Sequence, residues 1–276
     1  MSIMDKLKQN SKLKHTSVLS DSKFFNEKDQ TQTDVPMVNV ALSGSVDGGL
    51  SSGLIVLAGP SKHFKTSFAL MMAGAYLKKH KDAVMLFYDS EFGSPQAYFE
   101  QFEIDTSRVL HTPITNVEEL KFDLIGQLEG MMKNIPLLAV NHTYMEIGLF
   151  PKAIVGGGTG IYYSADNIWI LGRRQNKTGT EVTGYDFVIN VEKSRYVKEK
   201  SKIPVSVSWE GGVEKYSGLL DVAMAGGYVI KPNAGWYQRA GEESKVRMAE
   251  TLKEEFWQPI FDNTDFKEFI KKQYTI

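Results

Sequence analysis

Along the first half of the chain, short unbroken apolar runs alternate with longer amphipathic stretches. Residues 54–58, 83–89 and 135–140 are almost wholly apolar, and runs of that length without alternation mark strands buried on both faces. Between them, residues 65–79 place Phe68, Ala69, Met71 and Met72 on a helical face, residues 94–102 read as helix and residues 109–112 as a short strand. Residues 117–131 carry Leu120, Leu124, Ile125 and Leu128 at helical spacing. Buried strands alternating with helices predict an α/β fold with a mostly parallel sheet covered on both faces. From residue 166 the rhythm changes. Residues 167–172, 185–191 and 203–209 read as strands around the turn-rich Asn176-Lys177-Thr178-Gly179, and are expected as antiparallel additions to the sheet edge. A helix over 219–225, a small strand over 228–230 and two terminal helices over 244–257 and 265–272 complete the pattern, and no internal repeat is present.

Ahead of the first core strand, residues 36–43 predict a short helix ended by Gly44, and Gly48-Gly49-Leu50-Ser51-Ser52-Gly53 a turn. Residues 1–15 are lysine-rich and weakly amphipathic through Ile3, Met4 and Leu7. They read either as an exposed helix or partner-binding arm, or as a solvated basic tail. Residues 26–36 are a polar linker ending in Pro36. The chain thus divides into an arm and linker over 1–35, a core over 36–240 and a C-terminal helical segment over 241–276.

The first candidate chemistry follows the first buried strand. Gly59-Pro60-Ser61-Lys62-His63-Phe64-Lys65-Thr66 has the spacing of a phosphate-binding loop, G-x-x-x-x-G-K-[ST], with Phe64 where the second glycine belongs. Such a loop needs backbone N–H groups curled around a phosphate at a helix N-terminus, a lysine reaching the outer phosphates and a hydroxyl for Mg²⁺; Lys65 and Thr66 provide the last two. A phenylalanine in the glycine position has to hold φ negative or accept strain. The plainer alternative is a connecting turn without a ligand.

Open parallel sheets bind ligands beyond the carboxyl ends of their strands. Three such ends are predicted to converge: 59–66, Asp89-Ser90-Glu91 and Asn141-His142. Glu91 is placed to orient a water toward a γ-phosphate, or else Asp89 or Glu91 caps the next helix. His142 is placed to hydrogen-bond that phosphate, or is an ordinary histidine after a strand.

Composition narrows the classes. The 276 residues contain no cysteine, which excludes disulfides and thiolate metal sites, and the five histidines show no ligand spacing. A formal net charge of −1 gives no global attraction for nucleic acid, so any such binding has to come from a local patch. No apolar stretch approaches the ~20 residues of a membrane span, and the N-terminus does not read as a secretory signal. The expectation is a cytoplasmic protein with no membrane partner.

Taken in order, Lys23-Phe24-Phe25-Asn26-Glu27-Lys28-Asp29, Ala58 with the loop through Lys65, Leu86-Phe87-Tyr88-Asp89-Ser90-Glu91-Phe92-Gly93, His111-Thr112-Pro113, Asn141-His142-Thr143-Tyr144, Gly156-Gly157-Gly158-Thr159-Gly160, Tyr163-Ser164-Ala165-Asp166 and Asn190-Val191-Glu192-Lys193-Ser194-Arg195 resemble the RecA family of recombinases, in its phage type. The resemblance covers almost the whole chain. It implies a RecA-like P-loop ATPase core with a short N-terminal oligomerisation arm, and a DNA-dependent ATPase that forms a helical filament on single-stranded DNA and promotes homologous pairing and strand exchange in recombination and repair. ATP and Mg²⁺ would be its cofactors, with recombination mediator and single-strand-binding proteins as further partners.

Position by position, the resemblance implies that Gly59, Pro60, Ser61, Lys62, His63, Phe64, Lys65, Thr66 and Ser67 bind ATP, with Thr66 on the metal and Tyr98 stacked on the base. It makes Glu91 and Lys65 catalytic, His142 the γ-phosphate sensor, and Lys193 and Arg195 residues that reach a neighbouring subunit's nucleotide. Residues 143–160 would be the second DNA-binding loop, acting through Phe150, Lys152, Gly156, Gly157 and Gly158. The chain also departs from the family. Between the helix near 131 and the strand at 135, the family has a buried strand ending in a metal-binding aspartate, a first DNA-binding loop and a further helix. Asp123, inside a helical pattern, is no substitute. Either the sheet loses a central strand or its order closes around the gap. A nucleotide-binding filament partner without turnover is therefore the alternative reading.

Overall fold

The computed structural model describes residues 2–13, 16–21, 29–128, 135–147, 151–178, 180–209 and 212–276. The arm forms α1 (Ile3–Asn10), whose start is closed by a reciprocal capping box between Ser2 and Asp5. All of its residues lie open to solvent, Ile3, Met4 and Leu7 included. Phe24 and Phe25 lie outside the described residues. Helix α2 (Pro36–Ser43) begins on proline and ends at Gly44, where φ of +77° suits a residue without Cβ. It buries Met37, Val38, Val40, Ala41 and Leu42, and Asn39 within it closes the linker by accepting from the Thr33 N–H at 2.8 Å.

The main sheet has the order β10-β9-β8-β7-β1-β4. Its centre, β1 (Gly53–Ala58), runs parallel to β4 (Pro136–Asn141) on one side and to β7 (Asn167–Thr178) on the other. Strands β8 (Glu181–Ser194), β9 (Lys202–Ser208) and β10 (Gly212–Val213) then follow antiparallel. Only the strands from β8 onward are therefore antiparallel additions: the segment expected as the first of them, β7, belongs to the parallel core. Its alternating partner β8 turns Phe187, Ile189 and Val191 into the apolar core, where they meet α2, β9 and the C-terminal helices.

Helix α3 (Lys65–Lys79) leaves β1 through residues 59–64. Phe68 and Met72 pack it on the main sheet, whereas Leu70 and Leu77 belong to a separate cluster with Phe99, Ile104, Ala83, Met85 and Phe87. That cluster sits over β2 (Met85–Asp89) and β3 (Val109–Pro113), a two-stranded parallel sheet of its own. The single covered sheet expected from the sequence is thus split, with β4 bordering one part and β2 the other. Among the described residues no strand stands between the two parts, and only seven residues separate α5 (Val117–Leu128) from β4 in the sequence. As a result β4 is half open rather than buried on both faces, with Leu137 37% and Val140 43% exposed.

Between β2 and β3 lies α4 (Gln96–Glu100). After β4, the strands β5 (Thr143–Met145) and β6 (Ala153–Val155) pair antiparallel, and α6 (Gly158–Ser164) follows. The segment expected as a patternless loop is a hairpin running into a helix. In the C-terminal part, α7 (Leu219–Ala225) precedes the small sheet of β11 (Val229–Asn233), β12 (Trp236–Arg239) and β13 (Val246–Arg247). The helix expected over 244–257 begins only with α8 (Glu254–Phe261). Arg247 stacks on Trp236, 3.9 Å from its ring centre, which holds residues 246 and 247 as a strand against β12. A 3₁₀ turn over Met248–Leu252 then leads into α8. The last helix, α9 (Thr264–Tyr274), buries Phe266, Ile270 and Tyr274 in the main core.

Candidate functional site

The site grows from the ends of three strands. Beyond β1 the chain turns through Gly59, Pro60, Ser61, Lys62 and His63, of which the exposed Ser61 carbonyl accepts from His63 Nδ1 at 2.9 Å in one tautomer. Lys62 and Phe64 both adopt left-handed backbone, with φ of +61° and +60°. Phe64 therefore takes the strained alternative its position allowed. Its ring is compensated by a stacked contact with Phe187 at 5.1 Å and an edge contact with Phe68 at 5.6 Å. The first helical hydrogen bond of α3 runs from the Phe68 N–H to the Phe64 carbonyl, so the N–H groups of Lys65, Thr66 and Ser67 have no partner inside the helix.

Replacing Phe64 with glycine tests this balance. Left-handed strain of about 1 kcal/mol is relieved, but a half-buried ring worth about 2–3 kcal/mol is lost. The expected outcome is a net destabilisation, read as a lowered denaturation midpoint; an unchanged or raised midpoint would show that the ring contacts contribute nothing.

Lys65 is buried, and its ammonium donates to the Pro60 carbonyl at 2.8 Å. Burial lowers its pKa, and the Glu91 carboxylate works in the opposite direction. Among the described residues no carboxylate pairs with the ammonium, which leaves the cation available to an anion. Across from it, His142 Nε2 and Glu91 Oε1 are 2.9 Å apart, both largely open to solvent. The segment 89–92 is held by Asp89, whose buried carboxylate accepts from the N–H groups of Glu91 and Phe92 at 3.0 Å each. The local turn-capping role thus falls to Asp89, and the Glu91 side chain turns to His142 instead.

Of the remaining residues, Tyr98 on α4 places its hydroxyl on the Ser67 hydroxyl, and its ring stands edge-on to Phe102. Thr66 is half-buried at the start of α3. Asn141 ties the hairpin to this site: its side chain donates to the Gly156 carbonyl at 2.7 Å, while the Gly156 N–H reaches the His142 carbonyl at 3.0 Å. Gly157 and Gly158 take φ of +96° and +72° to start α6, and Lys152 is exposed on the hairpin. Phe150 lies outside the described residues.

Lys193 and Arg195 are not near this loop. Lys193 pairs with Ile168, and the Arg195 N–H donates to the Asp166 carbonyl, which places them level with Val56 and Leu54 of β1, three to five strand residues from Gly59 or about 10–16 Å at ~3.3 Å per residue. Lys193 donates to the Tyr162 carbonyl at 2.6 Å, at the end of α6. Arg195 pairs with Asp166 at 2.9 Å, whose other oxygen accepts from the Leu54 N–H. Within this chain both are held by carbonyl and carboxylate groups at the end of α6 and just before β7.

Two residues escaped the sequence reading. Arg173, on β7, donates to the Lys62 carbonyl at 2.8 Å and lies 4.7 Å over the Tyr185 ring, bracing the loop from the side. The signal was a cation at the carboxyl end of a strand next to β1. Tyr88 on β2 donates to the Asp123 carboxylate at 2.5 Å, fastening α5 onto the small sheet. Burial and the Asp123 contact push the Tyr88 phenol up to about 12. The neutral phenol is the form favoured by folding, so its contribution is complete below the ordinary tyrosine range and disappears as pH climbs from about 10 to about 12. Tyr88→Phe is expected to flatten that alkaline part of the stability profile; an unaltered profile would show that Tyr88 is not responsible.

Together these features define a class: a mixed α/β protein whose central parallel strand delivers a buried lysine to a helix start, opposite a carboxylate–histidine pair. Among the described residues, no group of three or more His, Cys, Asp and Glu side chains could hold a metal on its own. Comparison with known proteins supplies the particular family. Residues 216–270 match the family described as bacteriophage T4 recombination and repair protein, C-terminal domain. The chain is 41% identical to the recombination and repair protein of Enterobacteria phage T4 over 325 residues, covering 95% of this chain and 83% of that protein. The chain belongs to this phage recombination and repair family, the UvsX branch of the RecA-type recombinases. It is also shorter inside the match: 95% of 276 residues is about 262, so about 60 of the 325 positions have no counterpart here.

Proposed function

We propose that this chain is an ATP-dependent recombinase with a RecA-like P-loop core, acting in phage recombination and repair in the cytoplasm of the infected host. It assembles as a helical filament on single-stranded DNA and promotes homologous pairing and strand exchange, with mediator and single-strand-binding proteins as further partners. The observation that carries this reading is the buried Lys65 at the start of α3, facing the Glu91–His142 pair. Family membership supports the recombination and repair role.

The residues fit a nucleotide with its cation. Lys65 would bind the outer phosphates, exchanging its Pro60 contact for a charge-assisted one. The N–H groups at the start of α3 and the left-handed turns at Lys62 and Phe64 would hold the phosphates from below. Thr66 would hold Mg²⁺ through its hydroxyl oxygen, alongside the phosphates of the nucleotide. The bound cation neutralises charge on the phosphates during transfer. Glu91 would orient the attacking water, and Tyr98 would border the base. His142 would exchange Glu91 for the γ-phosphate, and through Asn141 and Gly156 it is fastened to the hairpin bearing Lys152. Nucleotide state and the DNA-facing hairpin would then be linked.

Lys193 and Arg195, level with residues 54–56 of β1, would serve a neighbour's nucleotide, which makes turnover depend on assembly. The open α1 would be the oligomerisation arm. The split sheet favours a second reading, in which the chain binds nucleotide and joins filaments of an intact recombinase without turnover.

ATP hydrolysis with and without single-stranded DNA separates the two. The recombinase reading predicts turnover that rises with DNA. In the Lys193→Ala–Arg195→Ala variant that turnover should fall at least about 10³-fold, the size of a missing trans cation, while nucleotide binding is kept. Bound nucleotide with no turnover under any condition would select the second reading.

A further inference from the structure

The two parts of the split sheet belong to one layer. Helix α3 covers both, through Phe68 and Met72 on one and Leu70 and Leu77 on the other. Their carboxyl ends lie together, since Glu91 just beyond β2 meets His142 just beyond β4 at 2.9 Å. Yet among the described residues β4 pairs with β1 alone and β2 with β3 alone. Each therefore presents one unpaired backbone edge toward the break.

The break is unprotected in a way the other sheet border is not. Exposed strand edges are normally kept from pairing by charge or by being very short. The far border, β10, has two residues followed by Glu214 and Lys215. By contrast β4 runs six residues without a charge, and Leu137 and Val140 are 37% and 43% exposed. On α5, Phe122 and Ile125 stand open at 86% and 64%, one turn apart. Apolar surface gathered around a free strand edge is a template for strand addition.

We propose that the slot between β4 and β2 is a docking site for a strand supplied by a separate polypeptide. The occupant is an uncharged, apolar extended segment of about six residues, the length of β4, running parallel to β4 and β2. A helix attached to it would cover Phe122 and Ile125. A separate chain is favoured over a second copy on two grounds. The T4 relative has about 60 positions with no counterpart here, so the match leaves chain unaccounted for that this polypeptide does not itself supply. Moreover, two copies joined about a two-fold axis through β4 would pair antiparallel and leave β2 open. The inference is independent of the nucleotide reading.

The test uses the full chain and, as probes, peptides spanning the positions of the T4 relative that have no counterpart here. Amide exchange is followed with and without them, and nucleotide binding is measured apart. A one-to-one complex is expected, with exchange over 85–89 and 136–141 slowed at least about tenfold, which is about 1.4 kcal/mol of added protection, and β9 and β10 unchanged. Leu137→Asp–Val140→Asp, at positions already open to solvent, should retain the melting transition and lose the complex. No complex, equal binding by that variant, or amides already protected in the isolated chain would overturn the proposal. Protection that grows with the concentration of the chain alone would assign the slot to a second copy and overturn it equally.

Discussion

Lys65→Ala is expected to abolish ATP turnover and to weaken nucleotide binding by about 10²-fold or more, since about 3 kcal/mol of charge-assisted contact to phosphate disappears. The structure makes the effect selective. Lys65 is buried and, among the described residues, its ammonium holds the Pro60 carbonyl and pairs with no carboxylate, so its removal breaks no ion pair among them. Burial of the charge already works against the folded state, as the lowered pKa of the ammonium indicates. The variant should therefore melt no lower than the parent while losing its ligand. Calorimetric titration with ATP, set beside a thermal melt, checks both halves. A variant that binds ATP as tightly as the parent would remove the phosphate-loop reading, and one that melts far lower would show that Lys65 is structural.

The largest effect on stability is expected from Trp257→Ala, at about 3–5 kcal/mol, which for a chain of this size is a fall of about 10 °C in midpoint. Trp257 is fully buried, with its ring stacked at 6.0 Å on Tyr216 and in contact with Phe256 and Phe261. Its indole N–H donates to the buried Thr251 carbonyl at 2.6 Å. Truncation opens a large cavity and leaves a carbonyl unpaired. It also loosens the joint through which α8 and α9 reach the core that holds Phe187 and Ile189 of β8. Denaturant unfolding measures the loss. A cost below about 1 kcal/mol would mean that the C-terminal helices hold to the sheet by other contacts.

Much of this arrangement was legible in the residues. The apolar runs located β1, β2 and β4, and helical spacing located α3, α5, α7 and α9. The order of β1, the loop and α3 followed from a strand ending in glycine and leading into Lys65 and Thr66. Convergence of Glu91 and His142 followed from the rule that parallel strands end on one side. Other features turned on contacts between residues far apart in sequence. Trp236 and Arg247 convert a predicted helix start into a strand, because a cation stacked on an indole outweighs modest helical preference. Phe64 holds a left-handed backbone because Phe187, more than a hundred residues away, stacks on it. Arg173 reaches the Lys62 carbonyl only because β7 lies beside β1.

By itself, then, the sequence determined the local elements and which side chains stand at the strand ends of the candidate site. Periodicity, capping residues and strand-end placement act over a few residues and carry their own physical cause. Tertiary structure alone decided that β2 and β4 stay apart, and that Lys193 and Arg195 stand level with residues 54–56 of β1 rather than at the loop that follows it. Strand order and the distance between groups depend on which backbones find one another across the sheet, and no local pattern contains that information.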